Sequence, residues 1–245
     1  MIEINGVTKK FGSNIAVDNI SLEIPCGQLF GFLGPNAAGK TTTIKLLAGL
    51  LRPSSGQIVI NGYSVQTQYI EAKRLISYVP DVPYLYDKLT GEEFLYFVAR
   101  LYELERPFIT KKTEELLELF GLEDYSSALI EDYSHGMRQR LVMCAALIHE
   151  PKVILIDEPL VGLDPRSARV FKDILKAKAK EGATIFMSTH TLNAAEELSD
   201  RMGIIDRGKL IACGTFSELQ KLSGINGHLE EIFLKLTEEE FSITK

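Results

Sequence analysis

The sequence predicts an α/β protein with a mostly parallel sheet, an N-terminal antiparallel β subdomain and an inserted α-helical subdomain. Three patterns lead to this fold class. The N-terminal third alternates apolar and polar residues, as in IEINGV and NISLEI, which is typical of antiparallel strands. QLFGFLG is almost continuously apolar, as expected of a strand buried on both faces, and the helical TTTIKLLAGL follows it. Residues 83–149 then have strong helical periodicity and interrupt the sheet pattern.

The C-terminal half returns to alternating strands and helices. Two apolar runs, at residues 153–157 and 184–188, predict further buried strands. Pro165 lies at a first-turn position of the helix between them, and Gly182 ends that helix. We expect one domain over residues 1–225, with the helical subdomain inserted at about 83–149, and an amphipathic, acidic helical tail over 226–245.

Composition narrows the functional classes. The 245 residues are 45% hydrophobic, which is enough for a sizeable core, and the net charge of −6 argues against nucleic acid as a partner. The three cysteines have no metal-ligand spacing, so we expect reduced thiols in a cytosolic protein. The N-terminus lacks a secretory signal pattern, and no stretch approaches the roughly 20 apolar residues of a membrane span.

Residues 34–41 read GPNAAGKT and fit the phosphate-loop pattern G-x-x-x-x-G-K-[ST] in full. The motif lies between a predicted buried strand and a helix, which argues against a glycine-rich turn that binds nothing. Backbone N–H groups and a helix N-terminus can surround phosphate oxygens, Lys40 can reach the β- and γ-phosphates, and the Thr41 hydroxyl can bind Mg²⁺. The sequence therefore predicts a P-loop NTPase core. The predicted loop contacts are Gly34, Pro35, Asn36, Ala37, Ala38, Gly39, Lys40, Thr41 and Thr42.

Acidic and imidazole groups end two of the predicted strands. Asp157 closes VILID, where it can hold Mg²⁺ directly or through water, and Glu158 can polarise an attacking water. A chance acidic pair is the alternative. His190 closes TIFMSTH at the same sheet edge. A surface or packing role is the usual alternative for a lone histidine, but this position favours contact with the γ-phosphate or the water.

The order of the motifs resembles the ATP-binding cassette (ABC) ATPases. Phosphate loop, helical insertion, SHGMRQR, ILIDEP, GLD and STH follow one another over roughly residues 2–222, and the combination is more specific than any one motif. The nearest likeness is to the nucleotide-binding subunits of ABC-2-type exporters. The resemblance implies an ATPase that uses ATP and Mg²⁺, dimerises with a second copy or a homologous subunit, and powers a separate membrane permease from the cytoplasmic face of the membrane. Hydrolysis would then depend on Lys40, Glu158 and His190.

The resemblance also assigns contacts outside the phosphate loop. Phe11 would stack on adenine, with Val17 at the following apolar position, although a core phenylalanine is a serious alternative. Asp164 would lie at the dimer interface, and it can equally act as the N-cap of the helix that begins at Pro165. The signature stretch Ser134, His135, Gly136 and Met137 would bind the γ-phosphate held by the partner subunit, with Ser134 also able to cap its own helix.

Three positions depart from the family pattern. Ala37 replaces a loop glycine, with little expected effect unless its φ is positive. Asp81 stands where the family usually has glutamine; it could reach Mg²⁺ through a water, and we expect hydrolysis with an altered metal dependence. His135 and Met137 replace a glycine and a glutamine, and His135 could perturb the phosphate contact or point to solvent. The predicted metal contacts are therefore Thr41, Asp157 and Asp81.

Two other functions stay open at this point. Asp81 favours a nucleotide-gated regulatory module with little hydrolysis, while the intact Glu158 and His190 argue against it. A soluble, non-transport cassette ATPase usually carries two cassettes or long coiled coils, which this chain does not. The aromatic PYLY at residues 83–86 could contact the permease or pack within the insertion. The substrate would be selected by the permease.

Overall fold

The computed structural model describes residues 1–82, 84–158 and 164–243, with side chains up to Thr237. In this part of the chain the strands are β1 Ile2–Phe11, β2 Asn14–Ile24, β3 Leu29–Leu33, β4 Ser55–Ile60, β5 Tyr63–Ser64, β6 Ile76–Val79, β7 Val153–Asp157, β8 Thr184–Thr189, β9 Arg201–Asp206 and β10 Lys209–Gly214. The helices are α1 Lys40–Leu47, α2 Tyr69–Arg74, α3 Gly91–Leu101, α4 Arg106–Leu119, α5 His135–Leu147, α6 Pro165–Lys180, α7 Leu192–Leu198, α8 Phe216–Ser223 and α9 Leu229–Ile243.

The described strands form two sheets. One is antiparallel, in the order β2-β1-β4-β5, and the other has the order β10-β9-β3-β8-β7-β6. In the second sheet every pairing is parallel except that of β10 with β9. The predicted fold class is confirmed, with the antiparallel subdomain, the mostly parallel core and the helical insertion all present.

Strand β3 is buried along its whole length, as its apolar run predicts. Phe30 and Phe32 pack into the core shared with the antiparallel sheet, while Leu29 belongs to the core shared with the helical insertion. Successive side chains of a strand point to opposite faces, so a strand covered on both sides has to be apolar throughout. This central strand leads directly into the phosphate loop.

The helical insertion is fixed by local signals and by shared packing. Thr90 and Glu93 form a capping box at the start of α3, and Gly121 follows α4 with φ of 60°. Leu141 of α5 packs in the same buried cluster as Ile154 of the parallel sheet. The insertion is therefore attached to the sheet through a continuous apolar core, which sets where the start of α5 lies.

The C-terminal helices cover one end of the parallel sheet. The predicted capping box at Thr215 and Glu218 begins α8. Leu229 and Ile232 of α9 are fully buried in one cluster with Leu33 of β3. The predicted tail helix thus packs on the core, while its fraying end falls beyond the side chains that the structure describes. Across residues 1–82, 84–158 and 164–243, no helix has both the length and the apolar character that crossing a bilayer requires.

Candidate active site

The predicted site residues converge because three parallel strands end at one edge. Strands β3, β8 and β7 are neighbours, with Leu33 opposite Thr189 and Asp157 opposite Ser188. Segments that leave the carboxyl ends of parallel strands meet at the same edge of the sheet. Here they border an open cleft of about 780 Å³. The cleft is lined by Phe11, Asn14, Ile15, Ala16, Asn36, Ala37, Gly39, Lys40, Thr41, Thr42, Asp81, Glu158, His190, Arg207 and Gly208.

The phosphate loop needs its glycines at two close backbone contacts. A Cβ on Gly39, whose φ is 110°, would lie 2.4 Å from the carbonyl oxygen of Ala16. A Cβ on Gly34 would lie 2.3 Å from the carbonyl oxygen of Ile205. Gly39 directly precedes α1, so the N-terminal N–H groups of that helix face the cleft. Ala37 has φ of 63°, the left-handed conformation in which an alanine is strained.

Lys40 is held within its own loop. Its ammonium donates to the carbonyl oxygens of Gly34 at 2.7 Å and Pro35 at 3.0 Å. Burial lowers the pKa of Lys40, although the charges of Glu158 and Asp157 act to raise it. An ammonium has three N–H donors, and the loop carbonyls use two of them. Lys40 can therefore present a fixed positive charge and a further donor to a phosphate in the cleft.

The two carboxylates at the end of β7 are held by the end of β8. Asp157 is buried and accepts a hydrogen bond from the Ser188 hydroxyl. Glu158 has φ of 53°, and its backbone N–H donates to the carbonyl oxygen of Ser188 at 3.0 Å. Its carboxylate accepts from the Thr189 hydroxyl at 3.2 Å and from the His190 backbone N–H at 3.1 Å. The structure thus brings the predicted Glu158 and His190 together at the cleft.

The predicted metal contacts fit a magnesium ion bound together with phosphates. Thr41 and Asp81 line the cleft, and Asp157 is buried at the end of β7, close enough to Lys40 for its charge to act on the ammonium. In the described residues no group of three or more histidine, cysteine, aspartate or glutamate residues could hold an ion on its own. Mg²⁺ commonly takes one or two protein oxygens and completes its shell with phosphates and water. The hydroxyl and carboxylate set present here matches that requirement.

Tyr78 of β6 is affected by the charge of Asp157 and also lines a second, apolar groove. Burial first, and then the negative charge of Asp157, raise the pKa of Tyr78 to about 12. The same side chain lines a groove of about 280 Å³ with Tyr84 and His149 on the side of the helical insertion. Tyr84 is 82% exposed, so packing within the insertion, one of the two roles considered for PYLY, does not bury this ring. Tyr86, in contrast, makes an edge contact with Phe97 of α3. Pro83 lies outside the described residues.

At the β1–β2 hairpin the structure corrects the predicted contact of Val17, while the stacking of Phe11 on adenine stays a prediction. Phe11 is 48% exposed and lines the cleft, so it is not a core phenylalanine. Val17 is fully buried in the core, because β2 turns this side chain inward, and Ile15 and Ala16 line the cleft instead. Ala38 is also buried, so its part in the phosphate loop is limited to its backbone.

The signature residues lie outside the lining of this cleft. Ser134 caps α5, its hydroxyl oxygen accepting from the Met137 backbone N–H at 3.3 Å. A serine hydroxyl also has one hydrogen to donate, so capping leaves Ser134 able to bind a phosphate. His135 is exposed. A Cβ on Gly136 would meet nothing within 4 Å in the described structure, so packing within the chain does not explain this glycine.

Asp164 is the N-cap of α6, as one of its two predicted roles requires. Its carboxylate accepts from the backbone N–H groups of Arg166 and Ser167, each at 3.0 Å. Hydrogen bonds, first of all from the Ser167 hydroxyl, lower the pKa of Asp164. The interface role stays a prediction, and residues 159–163, which include most of GLD, lie outside the described part of the chain.

Several cleft residues were not predicted from the sequence. Asn14, Ile15 and Ala16 belong to a β-hairpin whose register could not be read from alternation alone. Arg207 and Gly208 lie in the turn between β9 and β10. The glycine indicates a turn, but the sequence does not show which other segments this turn contacts. The hydroxyls of Ser188 and Thr189 donate to the carboxylates of Asp157 and Glu158. Their place in the sequence just before His190 could have indicated that they belong to the site.

Fold and site together define a P-loop protein that binds a nucleoside triphosphate between a phosphate loop and a pair of acidic residues. The family model described as "ABC transporter" matches residues 17–161. The chain belongs to this family, and the predicted function as the ATP-binding, ATP-hydrolysing subunit of an ABC transporter is confirmed.

Named relatives agree with this assignment. The chain is 39% identical over 225 residues to the daunorubicin/doxorubicin resistance ATP-binding protein DrrA of Streptomyces peucetius, covering 92% of this chain and 68% of the relative. It is 38% identical over 219 residues to the linearmycin resistance ATP-binding protein LnrL of Bacillus subtilis, covering 89% and 70%. A solved structure described as the ATP binding subunit of an ABC transporter superposes with a TM-score of 0.92 at 32% identity, covering 97% of this chain and 99% of that one.

Proposed function

We propose that two copies of this chain, or this chain and a homologous subunit, close head to tail around two ATP molecules and power a separate permease. The observation that carries the proposal is Gly136. Within the described chain a side chain at this position would meet open space, and the helix N-terminus beside it has Ser134 with a hydrogen to donate. A glycine at a helix start has a clear use where another molecule's phosphate approaches the backbone closely.

The cleft supplies the other half of the proposed composite site. The phosphate loop and Lys40 would bind the β- and γ-phosphates, while Thr41, Asp157 and Asp81 would hold Mg²⁺, which supplies charge stabilisation on the phosphate oxygens. Glu158 would take a proton from water as the water oxygen bonds to the γ-phosphorus and the bond to the β-phosphate oxygen breaks. The contacts from Thr189 and His190 would keep its carboxylate oriented for this step.

We favour export over import, with small antibiotic-like molecules as the cargo. Both named relatives are described as ATP-binding proteins of drug or antibiotic resistance, linked to daunorubicin/doxorubicin and to linearmycin. The exposed Tyr84 beside the apolar groove supports contact with a permease at the cytoplasmic face of the membrane. The permease, and not this subunit, would select the transported molecule. We also propose that the ATPase domain spans residues 1–225 and that residues 226–245 form a C-terminal helical tail.

Turnover of the wild type and of Glu158→Gln tests the catalytic assignment. The variant keeps an oxygen acceptor but loses the base, so phosphate release should fall by about 100-fold or more while ATP still binds. Glu23→Gln, an exposed glutamate on β2, is the matched control. Equal turnover of wild type and Glu158→Gln would favour the regulatory module that Asp81 suggested.

Gly136→Gln tests the head-to-tail pairing. Because the position is open within the chain and glycine is a poor helix former, the monomer should unfold at a denaturant concentration no lower than that of the wild type. ATP should nevertheless fail to produce dimers of the variant in sedimentation experiments on the Glu158→Gln background, which retains bound ATP. Normal ATP-dependent dimerisation of Gly136→Gln would reject the proposed contact.

A further inference from the structure

Arg207 lies on a turn whose backbone is specified locally. Strands β9 and β10 are joined by a two-residue loop, with Asp206 opposite Lys209. Arg207 has φ of 45° and Gly208 has φ of 82°. Positive φ at both central residues is the property of a type I′ hairpin turn, which matches the twist of the flanking strands. The side chain of Arg207 is about half exposed, at 53%, and lines the cleft.

The same turn is fixed between the phosphate loop and β2. The Gly208 backbone N–H donates to the carbonyl oxygen of Ala38 at 2.9 Å, and its carbonyl oxygen accepts from the Asp18 N–H at 2.8 Å. A Cβ on Gly208 would lie 3.0 Å from the carbonyl oxygen of Ala16, so this close approach requires glycine. The backbone that carries Arg207 is therefore held at a defined place on the cleft wall.

That place joins two parts of the cleft lining. Phe11 and Ile15 belong to the β1–β2 hairpin. The Arg207 turn is hydrogen-bonded both to β2 and to the phosphate loop. Lys9 does not share this position: its ammonium lies 4.9 Å from the Phe11 ring centroid and donates to the carbonyl oxygen of Arg52. Among the described residues that line the cleft, Lys40 and Arg207 are the two lysine or arginine side chains.

We propose that Arg207 is a nucleotide-binding residue that contacts the sugar and α-phosphate of the bound nucleotide. A guanidinium group has five N–H donors in a planar fork, which suits phosphate oxygens and sugar hydroxyls. The Asp206 carboxylate lies 3.8 Å from Nε of Arg207 and is mostly buried, so it helps to orient the side chain from behind the turn. The inference rests on this cleft being the ATP site.

The role predicts a specific pattern of binding constants. A contact to the α-phosphate is made equally by ATP and ADP, so loss of Arg207 should weaken both to a similar degree. Loss of one partly exposed charge-assisted contact corresponds to a rise in Kd of about five- to tenfold.

Arg207→Asn is the variant that tests this role most directly. It removes the guanidinium but creates an Asn-Gly pair, the sequence that type I′ turns favour, so the fold of the hairpin is kept. Lys209→Asn, two residues along the chain on an exposed position outside the lining, makes the same change in net charge. Calorimetric titration with ATP and ADP should show the loss for Arg207→Asn and no loss for Lys209→Asn.

Two results would overturn the inference. One is a Kd for both nucleotides within twofold of the wild type in Arg207→Asn, and the other is an equal weakening in Lys209→Asn, which would indicate a general charge effect. Thermal unfolding of both variants without nucleotide should match the wild type. If the wild type itself bound neither ATP nor ADP in the same titration, the nucleotide site would be misplaced, and this outcome is distinct from either result for Arg207.

Discussion

The Nδ1 atom of His190 lies 2.8 Å from Oε1 of Glu158, and the His190 backbone N–H donates to the same oxygen. The imidazole therefore orients the carboxylate from one side while the Thr189 hydroxyl binds its other oxygen. Glu158 has a left-handed backbone, φ 53°, so these contacts hold a carboxylate on a strained residue. In this arrangement we expect His190 to act on the reaction through Glu158.

His190→Ala should lower ATP turnover by about 10- to 100-fold with little change in the Kd for ATP, because the side chain positions the base and does not bind the bulk of the nucleotide. Phosphate-release kinetics and ATP titration measure the two quantities separately. His228→Ala is the control, since His228 is exposed and its Nδ1 lies 4.0 Å from Glu196. A loss of ATP affinity equal to the loss of turnover would contradict the positioning role.

Two ion pairs join the loop after Asp81 to residues on either side of the signature. The loop supplies the acidic partner in one pair and the basic partner in the other. Arg138 lies 2.7 Å from Asp87, and Lys88 lies 2.6 Å from Glu131. Asp87→Arg or Arg138→Asp alone should reduce ATP-dependent dimerisation several-fold, because each places like charges at the base of α5. The double variant, Asp87→Arg with Arg138→Asp, should restore ATP-dependent dimerisation, as measured by sedimentation in low salt. Failure of the double variant to recover would show that the pair does not align the signature.

Ala37 is strained in the phosphate loop, since its φ of 63° suits glycine. Ala37→Gly should therefore raise the free energy of unfolding by about 0.5 to 1 kcal/mol, the relief of strain being partly offset by the greater freedom of the unfolded chain. Ala38→Gly is the matched control: Ala38 is buried and its φ is not positive, so loss of its methyl group and the freer unfolded chain should lower the free energy of unfolding by about 1 kcal/mol. Urea unfolding compares the two, and equal signs would refute the strain argument.

His149 makes the fold sensitive to acid. Its ring stacks on Tyr102 with centroids 3.6 Å apart, its Nε2 bonds to the Ile76 carbonyl oxygen at 3.2 Å, and its Nδ1 is buried without a partner in the described structure. Burial lowers the pKa of His149 from 6.5 to about 4. Because the unfolded state binds the proton first, this group costs stability as the pH falls from 6.5 towards 4.

The expected loss between pH 7.5 and pH 5 is about 2 kcal/mol in the free energy of urea unfolding. His149→Phe keeps a ring for the stack with Tyr102 but cannot titrate, so its stability should depend less on pH over this range. The exposed His228→Phe should retain the wild-type pH dependence. An unchanged slope in His149→Phe would assign the acid sensitivity to other groups.

Local patterns in the sequence predicted the parts of the site that lie within one strand and its following loop. The apolar β3 run and GPNAAGKT specify a strand, a loop and a helix, and β7 with Asp157 and Glu158 follows the same logic. Val17 was assigned wrongly because neighbouring positions of a strand differ only by which face the register turns inward. Arg207 is remote in sequence from the phosphate loop, and only the pairing of β9 with β3 brings it there.

Because the position of Gly136 is open, a substitution there can stabilise the isolated subunit and still prevent its assembly. A helix start gains propensity when glycine is replaced, so a laboratory selection for thermal stability would favour larger residues at this position. Such a selection would stabilise the purified subunit while removing the proposed contact with its partner, a loss that the melting curve would not report. For this chain, stability engineering needs a screen that reports assembly.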